Sequence, residues 1–531
     1  MKTSGKPGEP IVFMGEQGAT KNEWKTIIDA SDELNDWVPS SMGPGVFEAK
    51  NVPYKVFWLG VGDRDILRVA ENSYLKEPPS ALHNNGYSRT KVNFWDGFEA
   101  LWFGTGTATG HWPSHYRNGA NPGTVHVRFR NGDDPNAKEM RISNGDPAVD
   151  LENQHDIVLR GFLIRGARLG IRLKGKKCTH NIIENNRIMN GGMKIQITEA
   201  SNLIIRNNVI HRNGLGDIEP GPFNRASGTT VDVPEPGTPL HTAAVREKFY
   251  RALKTITFFE YGYGISLNPA QGSAHIEISG NRIYDIVGDA IVLHGVRDVA
   301  IHHNEIHNAS SVAIMPYADY ANVRIHDNLL HTNNINLRFL GMDELPDRPK
   351  QAFIYRNRLW NPEGFGWHTY WHWTSGPTGN HETYFYHNSF AGGLVALNFS
   401  PGESANRQLG NTHFLNNVFS SARFMHYPPR NLGRFEHNWA GGDHLIYDFP
   451  GWFSESNVNA DDREIWDNGA DMPAFDLQAD DARATGCDVT AVACAGRALP
   501  GFDVGYFAGK APDMGAFPEP RPPPPTAFRV F

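Results

Sequence analysis

Short apolar runs alternating with polar residues recur along most of the chain, and they fall into one frame. IIENNRI, IIRNNVI, IEISGNRI, VAIHHNEI, VRIHDNLL, AFIYRNRLW, TYFYHNSF, THFLNNVF and GRFEHNWA align on Asn186, Asn208, Asn281, Asn304, Asn328, Asn357, Asn388, Asn417 and Asn438. Three residues earlier stand Ile183, Ile205, Ile278, Ile301, Ile325, Ile354, Phe385, Phe414 and Phe435. Two residues later stand Ile188, Ile210, Ile283, Ile306, Leu330, Leu359, Phe390, Phe419 and Ala440. Successive asparagines are 22, 73, 23, 24, 29, 31, 29 and 21 residues apart, which describes a coil of roughly 20 to 30 residues with one large insertion.

Strands this short cannot bury their apolar face alone, so the coils must stack. Asparagine tolerates a left-handed bend, and its amide can bond to the same amide one rung away, about 4.8 Å along the stack. Three columns agreeing over nine coils predict an all-β fold, a right-handed parallel β-helix. The frame also bears on VAIHHNEIHN, residues 299–308, whose three histidines suggest a metal site. His302 and His303 occupy positions held elsewhere by Glu184 and Asn185, Arg206 and Asn207, or Tyr355 and Arg356. His307 shares a column with His211, His331 and Trp360. Such mixed chemistry marks a solvated face, and the sequence assigns no metal ligand.

Along the chain, residues 1–43 read as a first coil and 44–130 as an inserted β module rich in Trp, Tyr and Gly, covering the end of the stack. Residues 131–455 read as the β-helix, and 456–531 as an irregular extension with a proline-rich tail. The insertion at 215–260 contains HTAAVREKFYRALKT, an amphipathic helical pattern carrying Arg246, Lys248, Arg251 and Lys254. MKTSGKPGEPIVF has no apolar signal segment and opens inside a strand-forming module, so a leader and a further coil are expected upstream.

Composition narrows the function classes. The 531 residues carry a net charge of −8, with no basic tail or zinc-finger spacing, which argues against nucleic acid as a partner. No apolar run reaches the roughly 18 residues of a membrane span. Cys487 and Cys494 stand close enough to bridge in an oxidising compartment, while Cys178 stands alone. No group of acids is dense enough to assert calcium, and no cofactor is expected.

Coils of this form, a front module ending VRFRNGDDPN and a terminal APDMGAF resemble secreted bacterial right-handed β-helix proteins, many of them polysaccharide lyases or glycoside hydrolases. The resemblance covers most of the chain and is specific for fold. It implies a secreted or periplasmic monomer that acts on a polysaccharide or oligosaccharide. It also implies a groove over the strand after each asparagine turn: LGIRLKG, MKIQITE, YGISLNP, DAIVLHG, VAIMPYA and NLRFLGM. Mannuronan epimerases share the fold, but of their Tyr-Gly-x-Asp-Pro-His signature only Pro269 is present in residues 265–270.

Alternation sends Ile171, Leu173, Ile195, Ile197, Ile265, Leu267, Ile291 and Leu293 inward on those strands. Arg172, Lys174, Lys194, Gln196, Asn268, His294, Tyr317 and Arg338 then form an outward wall that is basic or neutral, which suits a polyanionic glycan. Asn268, His294 and Tyr317 take the same position on successive coils. β-Elimination of a uronate needs a neutraliser for the carboxylate, which Asn268 or Arg338 could supply. It also needs a base and an acid, which His294 and Tyr317 could share. In FGWHTYWHW alternation exposes either Trp367, Trp371 and Trp373 or His368, Tyr370 and His372, and His368, Tyr370 and Trp371 are further candidates for binding sugar rings. A hydrolase would need paired carboxylates, and the acids near these strands, Glu199, Glu260, Asp289, Asp319 and Asp343, sit at strand ends or in turns. A noncatalytic glycan-binding surface protein is the third reading.

Overall fold

A computed structural model describes residues 3–16, 24–52, 58–62, 64–68, 83–84, 91–92, 100–105, 123–211, 263–267, 273–286, 288–309, 311–317 and 320–340. It also describes 350–361, 366–372, 381–399, 408–409, 411–420, 425–426, 431–441, 458–460, 475, 486–495, 497–503 and 514–515. Among these residues the chain winds as a right-handed parallel β-helix. The coils stack their strands in three sheets of 11, 12 and 13 strands, here sheets 1, 2 and 3, parallel throughout except for three antiparallel N-terminal strands at one edge of sheet 3. One coil runs Ser273–Ser279 in sheet 1, Arg282–Tyr284 in sheet 2 and Ile291–His294 in sheet 3. The next begins at Val296–His302, which pairs in parallel with Ser273–Ser279.

The asparagine column closes the bend between sheets 1 and 2. Asn186 Nδ2 donates to Asn208 Oδ1 at 3.2 Å, and the relay continues at 3.0 Å through Asn281, Asn304, Asn328, Asn357, Asn388 and Asn417 to Asn438. The same side chains donate to carbonyls of the preceding coil, such as Asn208 to Ile183 at 2.9 Å. These amides are buried, so their satisfied donors and acceptors remove a desolvation cost of about 1–3 kcal/mol each. The left-handed residue at the bend is the one before the ladder asparagine. It is Asn185, Asn207, Gly280, His303, Asp327, Arg356, His387, Asn416 or His437, with φ between 52° and 62°. His303 therefore serves the bend, a position on the outside of the coil that the C-terminal segment covers at Asn416.

Inside the coil, Ile183, Ile205, Ile278, Ile301, Ile325 and Ile354 stack fully buried with Ile188, Ile210, Ile283 and Ile306. Toward the C-terminus the columns change to phenylalanine, and Phe385–Phe414 and Phe390–Phe419 stack at 4.8 and 4.7 Å. Burial of each such side chain contributes about 1.5–3 kcal/mol.

Both ends carry added structure. Ile11–Met14 pairs in parallel with Ile157–Arg160, and Ile27–Asp29 with Leu163–Arg165, so the N-terminal strands make a coil below residue 147. Val46–Val52, Gly123–Phe129 and Ala100–Thr105 form an antiparallel module. Leu59–Val61 and Ser31–Glu33 pair antiparallel with Met140–Asp150 and cover that edge of sheet 3. Near the C-terminus a segment closed by the Cys487–Cys494 disulfide lies on the outside of sheet 1. There Val489, Cys494 and Leu499 pack on Phe353, Tyr355, Tyr384 and Tyr386. Tyr386 Oη donates to the Pro500 carbonyl at 2.7 Å, and Arg356 donates to that of Gly501. The insertion at 215–260 and its helical pattern lie outside the described residues.

Candidate functional site

The outward face of sheet 3 follows from its register. One row runs Asp150, Arg172, Gln196, Ser266, Val292 and Met315. Pairing of Ile314 with Leu337 sets Arg338 beside Met315, and Arg338 pairs with Tyr370 and Tyr370 with Asn398. Two residues along each strand a second row holds Lys174, Thr198, His294 and Tyr317. Asn268 lies outside the described residues, as do Glu260, Asp319 and Asp343.

The wall expected to be basic is not uniformly so. Arg172 makes a two-pronged ion pair with Asp150, Nε to Oδ1 at 2.9 Å and a terminal nitrogen to Oδ2 at 2.5 Å, and reaches Glu152 at 3.2 Å. Lys174 pairs with Glu152 at 2.9 Å. The Arg172 guanidinium holds the Asp150 carboxyl below the usual carboxylate range. Both cations are thus matched by acids on the preceding coil. Gln196 is half-buried on the same face.

Lys194, His368 and Trp371 do not line the groove. At the corner where each sheet 3 strand begins, two successive residues turn inward, so simple alternation fails by one position. Ala290, Ala313 and Ala396 fill the first of these inward positions, within the main core. Asn336 and His368 occupy the same position in their coils and are fully buried. His368 Nε2 meets the Gly392 carbonyl at 3.0 Å and Nδ1 meets the Asn336 amide at 3.0 Å, so Nε2 carries the proton and Nδ1 accepts. Burial lowers its pKa to about 4. Lys194 takes the corner position too, 2% exposed, with Nζ donating to the Gly191 and Gly192 carbonyls at 2.9 and 3.0 Å. Trp371 lies in the core against Phe339, at 5.3 Å.

The middle coils bring together what the early ones do not. His294 and Tyr317 sit on adjacent rungs, both half-buried, with ring centroids 4.5 Å apart and planes at 67°. Arg338 stands one rung on and two residues earlier, roughly 8 Å from Tyr317 by the spacing of rungs and residues. Its guanidinium lies 5.4 Å from the Tyr370 ring centre, and among the described residues it makes no ion pair. Trp367 adjoins Tyr370 at 5.0 Å. Around them Val292, Val312, Met315 and Ile335 form an apolar patch packed against Tyr263, Tyr317, Trp367 and Tyr370. The two alternating sets expected for this stretch are mixed by the corner, which exposes Trp367 from one and Tyr370 from the other; Val312 and Ile335 share the register position of Trp367. Of the acids near these strands, Asp289 is 2% exposed and Glu199 sits at a left-handed bend with φ 56°. Among the described residues the carboxylates on this face are Asp150 and Glu152, at the early rungs, where Arg172 and Lys174 engage both; none stands beside His294, Tyr317 and Arg338.

The family described as periplasmic copper-binding protein (NosD) matches residues 109–218. No curated protein sequence matches the chain. Solved structures similar to it include XylC in complex with xylose, at 13% identity and a TM-score of 0.44, covering 86% of this chain and 80% of that one. Pectate lyase Pel9A is similar at 11% identity and a TM-score of 0.38, covering 71% and 84%. An alginate lyase from Paenibacillus sp. str. FPU-7 is similar at 15% identity and a TM-score of 0.31, covering 49% and 74%. No helix among the described residues is long and apolar enough to cross a membrane.

Proposed function

We propose that the protein is a polysaccharide lyase that cleaves an acidic, uronate-containing glycan by β-elimination on the outer face of sheet 3. The reading rests on the cluster in the middle coils, where His294 and Tyr317 stand beside Arg338, a cation without an acid partner among the described residues. In this reading Arg338 neutralises the sugar carboxylate, which makes the adjacent carbon acid easier to deprotonate. Neutral His294 takes that proton, the bond to the leaving oxygen breaks as the new carbon–carbon double bond forms, and Tyr317 protonates the leaving oxygen. Trp367 and Tyr370 offer ring faces to a neighbouring sugar. Secretion or export to the periplasm, action as a monomer, and independence from a cofactor complete the proposal, with the Cys487–Cys494 disulfide supporting an oxidising compartment.

Absorbance near 235 nm, which reports the unsaturated uronate, tests this directly on a panel of polyuronates. A rise supports elimination. New reducing ends without that absorbance would favour a glycoside hydrolase, and binding without either product a noncatalytic glycan-binding protein. The carboxylates on this face among the described residues, Asp150 and Glu152, are tied up in ion pairs with Arg172 and Lys174, which ranks the hydrolase second.

A further inference from the structure

Sheet 2 carries on its outer face a column of rings that the proposed reaction does not use. His211 stacks on Tyr284 at 4.8 Å, Tyr284 on His307 at 5.1 Å and His307 on His331 at 4.7 Å, all within 13° of parallel. Register pairing places His307 and His331 on adjacent rungs, and Glu305 faces the same side two residues before His307. Glu305 Oε1 lies 3.8 Å from His307 Nε2 and 3.6 Å from His331 Nε2, and the three donor atoms lie within 4.8 Å of one another.

We propose that Glu305, His307 and His331 form a binding site for one divalent late first-row transition ion, zinc or copper, spanning two coils. Two imidazole nitrogens and one carboxylate oxygen, with a side open to solvent, are a donor set such ions favour over calcium or magnesium. Donors about 2.0–2.2 Å from a metal stand roughly 3.3–3.5 Å apart, so small rotations of the half-exposed Glu305 and of His331 complete the site. The Thr332 hydroxyl contacts His331 Nδ1 at 3.2 Å, which leaves Nε2 turned toward Glu305. Arg282, 3.5 Å from Glu305 Oε2, is the competing cation and must give way on that oxygen. The site was hidden in VAIHHNEIHN because its third ligand comes from the next coil, while His302 lies on sheet 1 and His303 in the bend.

Calorimetric titration of the full chain with ZnCl2 and with CuCl2, in excess calcium and magnesium, tests the site. The expected result is one ion per chain, with affinity lower by about tenfold or more in both Glu305→Gln and His331→Gln. Metal should raise the thermal midpoint of the parent more than that of either variant. Circular dichroism of the two variants confirms that they keep the fold. Failure of both ions to bind stoichiometrically, or affinity within about threefold of the parent in either variant, overturns the assignment. The latter result would move the ion to other histidines such as His302 and His326. Neither outcome depends on lyase activity.

Discussion

Two stretches of the same sheet face look alike in sequence and differ in the folded molecule. The early rungs hold Arg172 and Lys174, and the middle rungs hold His294, Tyr317 and Arg338, in adjoining rows of one surface. Around Arg172 and Lys174 the acids Asp150 and Glu152 sit one rung below and cancel the charge. Around Arg338 the neighbours are a tyrosine face, a tryptophan and an apolar patch. In a stacked coil the sign of a position depends on the rung beneath it, some 20 to 30 residues away in sequence, as much as on the position itself.

Four measurements break or sharpen this contrast, in order of expected size. His294→Ala should lower the elimination rate by about 10²–10⁴-fold while circular dichroism stays unchanged, because loss of a general base costs that much. Trp371→Ala and Trp367→Ala should separate core from surface. The first should lose about 3–5 kcal/mol of stability in urea unfolding, and the second little stability but glycan affinity.

Acid should reveal the inward histidine. Burial holds His368 at about 4, below the ordinary 6.5, so the unfolded chain binds protons first. The contribution of His368 to stability should therefore fall as pH drops from about 6.5 toward 4 and level off below that, a loss of about 3 kcal/mol. Unfolding midpoints at pH 7 and 4.5 in the parent and in His368→Gln measure it. A histidine in the groove would show no such dependence.

The smallest contrast is between the two arginines. Arg338→Ala should cost about 10–100-fold in kcat/KM, the worth of a charge-assisted hydrogen bond to substrate, whereas Arg172→Ala should leave kcat/KM within about twofold.

The fold was legible because the three columns repeat. Each ladder asparagine bonds to the next in the order the alignment gives, and the Ile and Phe columns are the core. The site was legible only in part. His294, Tyr317 and Arg338 keep the alternation that the strand dictates and emerge on the outer face. Lys194, His368 and Trp371 escaped because the corner at the start of each strand inserts a second inward residue. That feature depends on backbone direction, and its trace in sequence is the small residues Ala290, Ala313 and Ala396 at the matching positions. The charge pairing of Arg172 escaped because Asp150 belongs to a coil whose asparagine signature is absent.

A crystal structure of His294→Ala with a tetrameric uronate bound would test the central claim most directly. The account predicts sugar density across His294 and Tyr317, with a carboxylate on Arg338 and a neighbouring ring on Trp367 or Tyr370. A chain seated instead along Arg172, Lys174 and Gln196, or on another sheet, would contradict it.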